Sequence, residues 1–295
     1  MSKIRTLASA TKRRLVSPPV DELRREVETM RQLNQRLERT VRKAEGKPAE
    51  RPEGKPAGAK SDKAGPRTGA LPADYDDEAK QIITAVRPYT MTSNEKLYAL
   101  VTAVRYVVDA GIEGDLVECG VWRGGSMHAV ARTLLAKGVS DRDLHLFDTF
   151  SGMTEPTERD VSLHVGKSAS ELLETSERTS NTWAVASRDD VEQGLATLDY
   201  PQERFHLVEG PVEETIPHGA PQRIALLRLD TDWYESTRHE LEHLYARLEP
   251  GGVLIIDDYG SWQGSKEATD EFVAALEHKP MMVRAGRSRI GVKPA

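Results

Sequence analysis

The 295 residues carry 41 Lys+Arg and 47 Asp+Glu, a net charge of −6 that averages two unlike segments. Residues 1–70 hold 18 basic against 9 acidic side chains, a net of +9, and the remainder holds 23 against 38, a net of −15. No apolar run approaches the roughly 18 residues a membrane helix needs, and a single cysteine, Cys119, forbids an intrachain disulfide and fits a reducing, cytoplasmic setting.

The N-terminus, MSKIRTLASATKRRLV, is basic but lacks the continuous apolar stretch of a secretory signal. Its freedom from acids over residues 1–17 is a composition shared with transit peptides. Residues 20–44, VDELRREVETMRQLNQRLERTVRKA, contain no Gly or Pro. With Val20 at position a, Val27, Asn34 and Val41 follow at a, and Leu23, Met30, Leu37 and Ala44 fall at d. That spacing predicts a parallel two-stranded coiled coil with Asn34 setting register and Glu26 facing Arg31 of a partner helix, hence a homo-oligomer. A solitary amphipathic helix has the same spelling. The arginines are spread around a helix that also carries Glu, without interleaved aromatics, which reads as a solvated face and not a nucleic-acid surface. Residues 46–70 hold four Pro, five Gly and five Ala with no aromatic or branched aliphatic side chain, so a disordered linker is expected over residues 46–74. The expected organisation is a helical arm over 1–45, that linker, and a globular domain over 75–295.

Within the globular domain, TSNE at 92–95 spells a capping box ahead of a helix over 96–110. Buried-strand patterns are predicted at 115–119, 144–147, 205–208, 224–229 and 253–256, with two short candidates at 281–284 and 289–293. Helical patterns at about 126–137, 189–198, 236–248 and 265–277 lie between them, and a turn is expected at Pro250, Gly251 and Gly252. Strands alternating with helices predict an α/β fold with a doubly wound, mostly parallel sheet, whose ligands bind beyond the carboxyl ends of the strands.

Three motifs sit at such ends. VECGVWRGGS, residues 117–126, runs from a strand through glycines into a helix N-terminus, which suits a nucleotide-like cofactor. Its spacing lacks the Gly-x-Gly of a dinucleotide fingerprint, since Trp122 stands two residues after Gly120; the acidic-x-Gly pattern led by Glu118 resembles the first motif of S-adenosylmethionine-dependent methyltransferases. Asp148 ends the second strand, where an acid binds ribose hydroxyls or serves as a helix cap. Asp230 and Asp232 close the fourth strand, and Asp257 and Asp258 close the fifth. Neighbouring strand ends lie about 5 Å apart, so four carboxylates converge. A hard divalent ion such as Mg²⁺ relieves their repulsion; a nearby lysine or arginine is the alternative.

Taken together, ECGVWRGGS, LFDTFSGM, GPVEETIP, LLRLDTDWYESTRHELEHLYARLEPGGVLIIDDY and GSWQGSKEATDEF resemble the macrocin O-methyltransferase family over about residues 75–295. The resemblance does not reach residues 1–74. It implies a class I S-adenosylmethionine-dependent methyltransferase with a seven-stranded, mostly parallel sheet and a Mg²⁺ ion. It also implies methylation of a sugar hydroxyl on a glycosylated natural product. The implied metal ligands are Asp230, Asp257 and Asp258, and the implied general base is Asp232. Thr90 and Met91 match the segment closing over the cofactor, and Glu118, Cys119, Gly120, Val121 and Trp122, with Asp148, Thr149, Phe150 and Gly152, match its main binding runs.

The stretch from Gly152 to Arg188 has weak periodicity and reads either as a lid over the acceptor or as a disordered insertion. Trp122, Trp233, Tyr234 and Trp262 stand beside the motifs, either to stack on ligands or to pack. A catechol or phenol acceptor, and a coiled-coil adaptor with little catalysis, are the competing functional readings.

Overall fold

The computed structural model describes residues 71–295; the predicted arm and the linker as far as residue 70 lie outside the described residues. Helix α1 (Asp77–Val86), not anticipated from the sequence, starts where the Asp76 carboxylate accepts from the Ala79 amide at 2.9 Å, with Asp77 and Glu78 in the first turn. Acids there match the positive end of the helix dipole. Ala79, Ile82, Ile83 and Val86 form its buried face. Helix α2 (Asn94–Asp109) is capped by Ser93, whose Oγ accepts from the Lys96 amide at 3.4 Å. The expected capping box is therefore out of register by one residue. Thr92 belongs instead to the preceding segment, its amide donating to Thr90 Oγ1 and its carbonyl accepting from Arg87.

Seven strands form one sheet: β1 (Asp115–Cys119), β2 (Leu144–Asp148), β3 (Phe205–Glu209), β4 (Ile224–Leu229), β5 (Leu248–Ile256), β6 (Met282–Ala285) and β7 (Ser288–Val292). Their order is β3-β2-β1-β4-β5-β7-β6. The β3-β2-β1-β4-β5 pairings are parallel, and β7 runs antiparallel to both β5 and β6. All six residues of β4 are buried, as expected of a parallel strand covered on both faces. Leu116 packs in a core with α1, α2, α3 (Gly125–Ala136) and α5 (Arg188–Leu195), whereas Val117 and Cys119 face a second core with α6 (Val212–Thr215), α7 (Tyr234–Leu244) and α8 (Gln263–Ala275). Leu71 is partly buried against the first core. Strand order reverses between β1 and β4, and that switch point opens the cleft.

The expected turn at 250–252 is not a turn. β5 runs through it from Leu248, with a register shift against β4 between Ile224 and Leu226. Gly251 takes φ 82, and its amide bonds to the Lys293 carbonyl at 2.9 Å. An antiparallel partner strand can satisfy a bulge that a sequence of Pro-Gly-Gly would otherwise spell as a reversal.

His128 on α3 is fully buried and stacked on Tyr89 at 4.3 Å between ring centroids. Neither ring nitrogen has a hydrogen-bond partner among the described residues. Burial, with Arg132 adding to it, pulls its pKa from 6.5 to about 4. Between those values the unfolded chain binds the extra proton, so stability present above pH 6.5 is lost as pH falls through 4. At 1.36 kcal/mol per pH unit the loss is about 3 kcal/mol. His128→Phe should flatten this part of the pH dependence in urea melts between pH 7 and 4; an unchanged slope assigns it to other groups.

Candidate active site

Among the described residues, four that are not glycine have positive φ: Trp122 (46), Phe150 (50), Ala184 (45) and Asp232 (65). Three of them directly follow the carboxyl ends of β1, β2 and β4. Each such conformation costs roughly 1–3 kcal/mol and persists where surrounding structure enforces it, typically at functional sites.

Glycine is required in the first turn. A Cβ on Gly120 would lie 2.1 Å from the Asp230 carbonyl oxygen, and one on Gly125 would lie 2.4 Å from the Tyr89 oxygen and 2.5 Å from Thr90 Cβ. The Tyr89-Thr90 backbone can therefore rest directly on the α3 N-terminus. Thr90 is buried there, while Met91 stays 46% exposed. Asp148 accepts from the amides of Val121 (2.7 Å), Trp122 (3.1 Å) and Phe150 (2.8 Å). Burial raises its pKa, and the backbone amides of Phe150, Val121, Trp122 and Thr149 oppose the rise. Thr149 Oγ1 donates to the Gly152 carbonyl at 2.7 Å, closing the second turn. Gly152 has φ 101, and a Cβ there would meet the Trp183 carbonyl oxygen at 2.6 Å.

The side chains of two residues of the first motif are buried. Cys119 is fully buried in the second core, leaving only its backbone for a ligand; its carbonyl accepts from the Asp230 amide at 2.8 Å. The Glu118 carboxylate is 1% exposed and is ion-paired with Arg228, its register partner on β4. Burial pushes Glu118 up to about 7 against the pull of Arg228.

Asp230, Asp257 and Asp258 each present a carboxylate oxygen, and the three oxygens lie within 4.8 Å of one another. Both readings of the cluster find support. Arg228, 2% exposed, reaches Asp230 Oδ2 and Asp257 Oδ1, each at 2.7 Å, besides Glu118. Lys96 pairs with Asp257 Oδ2 and donates to the Asp257 carbonyl at 3.1 Å. Ser288 Oγ donates to that same carbonyl at 2.9 Å. Two cations do not balance the five carboxylates of Glu118, Asp230, Asp232, Asp257 and Asp258. Asp258 Oδ2 is buried with no hydrogen-bond partner among the described residues. Burial, reinforced by neighbouring carboxylates, holds Asp230 and Asp258 well above the usual carboxylate range. Burial also acts to raise Asp257, but Arg228 and Lys96 overcome it and hold that group well below the range. The excess negative charge, the clustered oxygens and the orphaned Oδ2 all fit a hard divalent ion. Asp232 stands beside them, pushed up to about 7 by burial and by Asp230, near the value at which a general base works best.

The segment over residues 152–188 is ordered by contacts that sequence reasoning missed. Asp160, fully buried, accepts from Thr157 N at 2.7 Å, Thr157 Oγ1 at 2.9 Å and Tyr234 N at 2.8 Å, tying this segment to the start of α7. Gly264 must lack a side chain, because its Cβ would sit 2.0 Å from Asp160 Oδ1. Trp233 and Trp262 meet edge-on at 4.9 Å, and Trp233 packs with Ala169 and Leu173 of the short helix α4 (Ala169–Glu174). The Tyr234 ring lies under the Arg159 guanidinium at 3.9 Å. Of the four aromatics, Trp233 and Tyr234 thus pack within the protein.

A sheet of this order, with one reversed strand and a strained glycine turn at the switch point, is the frame of the class I S-adenosylmethionine-dependent methyltransferases. The profile of the macrocin O-methyltransferase family (TylF) matches residues 65–284. The chain belongs to that family and is an O-methyltransferase. It is 30% identical over 208 residues to demethyldecarbamoylnovobiocin O-methyltransferase of Streptomyces niveus, covering 68% of this chain and 74% of that one. Mycinamicin III 3''-O-methyltransferase of Micromonospora griseorubida is 33% identical over 177 residues, covering 58% of this chain and 65% of its own. The solved O-methyltransferase NovP superposes with a TM-score of 0.61 at 29% identity, over 70% of this chain and 83% of that one. No described helix is long and apolar enough to cross a membrane.

Proposed function

We propose that this chain methylates a sugar hydroxyl of a glycosylated natural product, using S-adenosylmethionine and a Mg²⁺ ion held by Asp230, Asp257 and Asp258. The observation that carries the reading is Asp232 standing beside that acidic cluster at the mouth of the switch point. Relatives named for methylation of a rhamnosyl 4' position and of a 3'' position support the sugar acceptor.

Methyl transfer is an in-line displacement, so most of the protein's task is alignment. The acceptor oxygen forms the new bond to the methyl carbon while the sulfur takes the bonding pair of the bond that breaks. Asp232 receives the hydroxyl proton. When bound, Mg²⁺ would supply a Lewis acid beside the acceptor oxygen. The glycine turn and Asp148 seat the nucleoside, and the Asp160-pinned lid excludes water. In the same reading the enzyme is cytoplasmic, and the arm predicted over residues 1–45 serves oligomerisation.

The test is S-adenosylhomocysteine release on a panel of glycosides with free sugar hydroxyls. Activity is expected to vanish in excess EDTA and return with added Mg²⁺. Full activity in EDTA removes the metal, and turnover confined to catechols removes the sugar.

A further inference from the structure

Lys96 occupies a position that a divalent ion in the proposed site would contest. Its ammonium is paired with Asp257 Oδ2 and lies in the field of Asp258 and Asp230 as well, the same three carboxylates that cluster within 4.8 Å. Arg228 is the other resident cation, and the two are held differently. Arg228 bridges three carboxylates from near the carboxyl end of a fully buried strand, with its side chain 3% exposed. Lys96 holds one carboxylate and one backbone carbonyl from the first turn of a helix, with its side chain 13% exposed. Lys96 is therefore the cation that can leave. The cavity beside it, bounded by Lys96, Arg228, Asp257 and Ser288 among others, measures about 10 Å³. That is room for about one water molecule, too little to take in a displaced lysine stem.

We infer that Lys96 is a resident counter-cation that neutralises Asp257 in the metal-free enzyme and competes with the divalent ion for that carboxylate. This rests on the Mg²⁺ site proposed above. Because Lys96 sits in the helix that follows the Thr90-Met91-Thr92 segment, its release links metal loading to the wall of the cofactor site.

The test uses the full chain titrated with Mn²⁺ by calorimetry. Removing a positive charge beside a cation site deepens its negative potential, so Lys96→Gln should bind Mn²⁺ on the order of tenfold more tightly than wild type. Lys96→Arg, which keeps the charge, should stay within about threefold of wild type. Asp258→Asn should weaken binding in either background. A second readout needs no variant: in the wild-type chain, the rate of Lys96 reductive methylation, followed by mass spectrometry, should rise when Mn²⁺ is added. Unchanged or weaker Mn²⁺ affinity in Lys96→Gln, or Lys96 labelling that stays flat or falls with Mn²⁺, overturns the inference while leaving the metal site standing. Absence of Mn²⁺ binding in both wild type and Lys96→Gln overturns the metal site itself and the inference with it.

Discussion

Asp232→Asn is expected to lower methyl transfer by about 10²–10⁴-fold, the range for loss of a positioned general base, while S-adenosylmethionine binding measured by calorimetry stays near wild type. The substitution isolates proton acceptance for two reasons. Asn keeps the size and hydrogen-bonding shape of the side chain but cannot take the hydroxyl proton. Asp232 also sits at φ 65, and Asn tolerates that left-handed conformation better than nearly any other residue. Asp232→Ala would strain the turn between β4 and α7 and confuse base loss with backbone movement. Retained affinity for S-adenosylmethionine is expected because the proposed cofactor-binding runs follow β1 and β2, not this turn. Turnover by Asp232→Asn within a few-fold of wild type would remove Asp232 from proton transfer, whatever the acceptor.

The strands were legible because parallel strands between two helical layers are apolar throughout, as in the six buried residues of β4. The acidic site was legible because a doubly wound sheet brings all its strand ends to one edge, so acids at 230, 232, 257 and 258 had to converge. What the acids meet there was not legible. Lys96 reaches Asp257 across 161 residues of chain, and nothing in the local spelling of α2 points to it. Asp160 reaches Tyr234 across 74 residues from a segment whose irregular sequence has no period to read. Arg228 did leave a signal, a guanidinium inside the apolar run Ile224–Leu229, since such a group is rarely buried without partners. The partner followed from pairing register, which sets Glu118 opposite Arg228. Register also explains why Glu118 faces inward: it alternates with Val117 and Cys119, which fill the opposite core.

Arg228→Met should be the most destabilising single change at this site. It removes a charge that is 2% exposed and leaves Glu118, Asp230 and Asp257 without their shared partner. Breaking a buried ion pair from one side costs about 3–5 kcal/mol, or a Tm lowered by roughly 10 °C for a domain of this size. Arg228→Lys should recover only part of this, because a single ammonium cannot span three carboxylates as a planar guanidinium does. The pH dependence separates charge from packing. Glu118 lies at about 7 with Arg228 still pulling it down from the value burial alone would set. Without Arg228 its folded pKa must rise further above its unfolded 4.5. A group raised in this way stabilises the fold below its unfolded pKa, and that stability is lost as pH climbs through the folded value. The deficit of Arg228→Met relative to wild type should therefore be greatest above pH 7 and shrink toward pH 5, as Glu118 takes up a proton. Chemical denaturation across that range is the measurement. A deficit of constant size would mean that the lost stability lies in the packing of the guanidinium and its stem, and that Arg228 does not hold β1 and the acidic cluster together by charge.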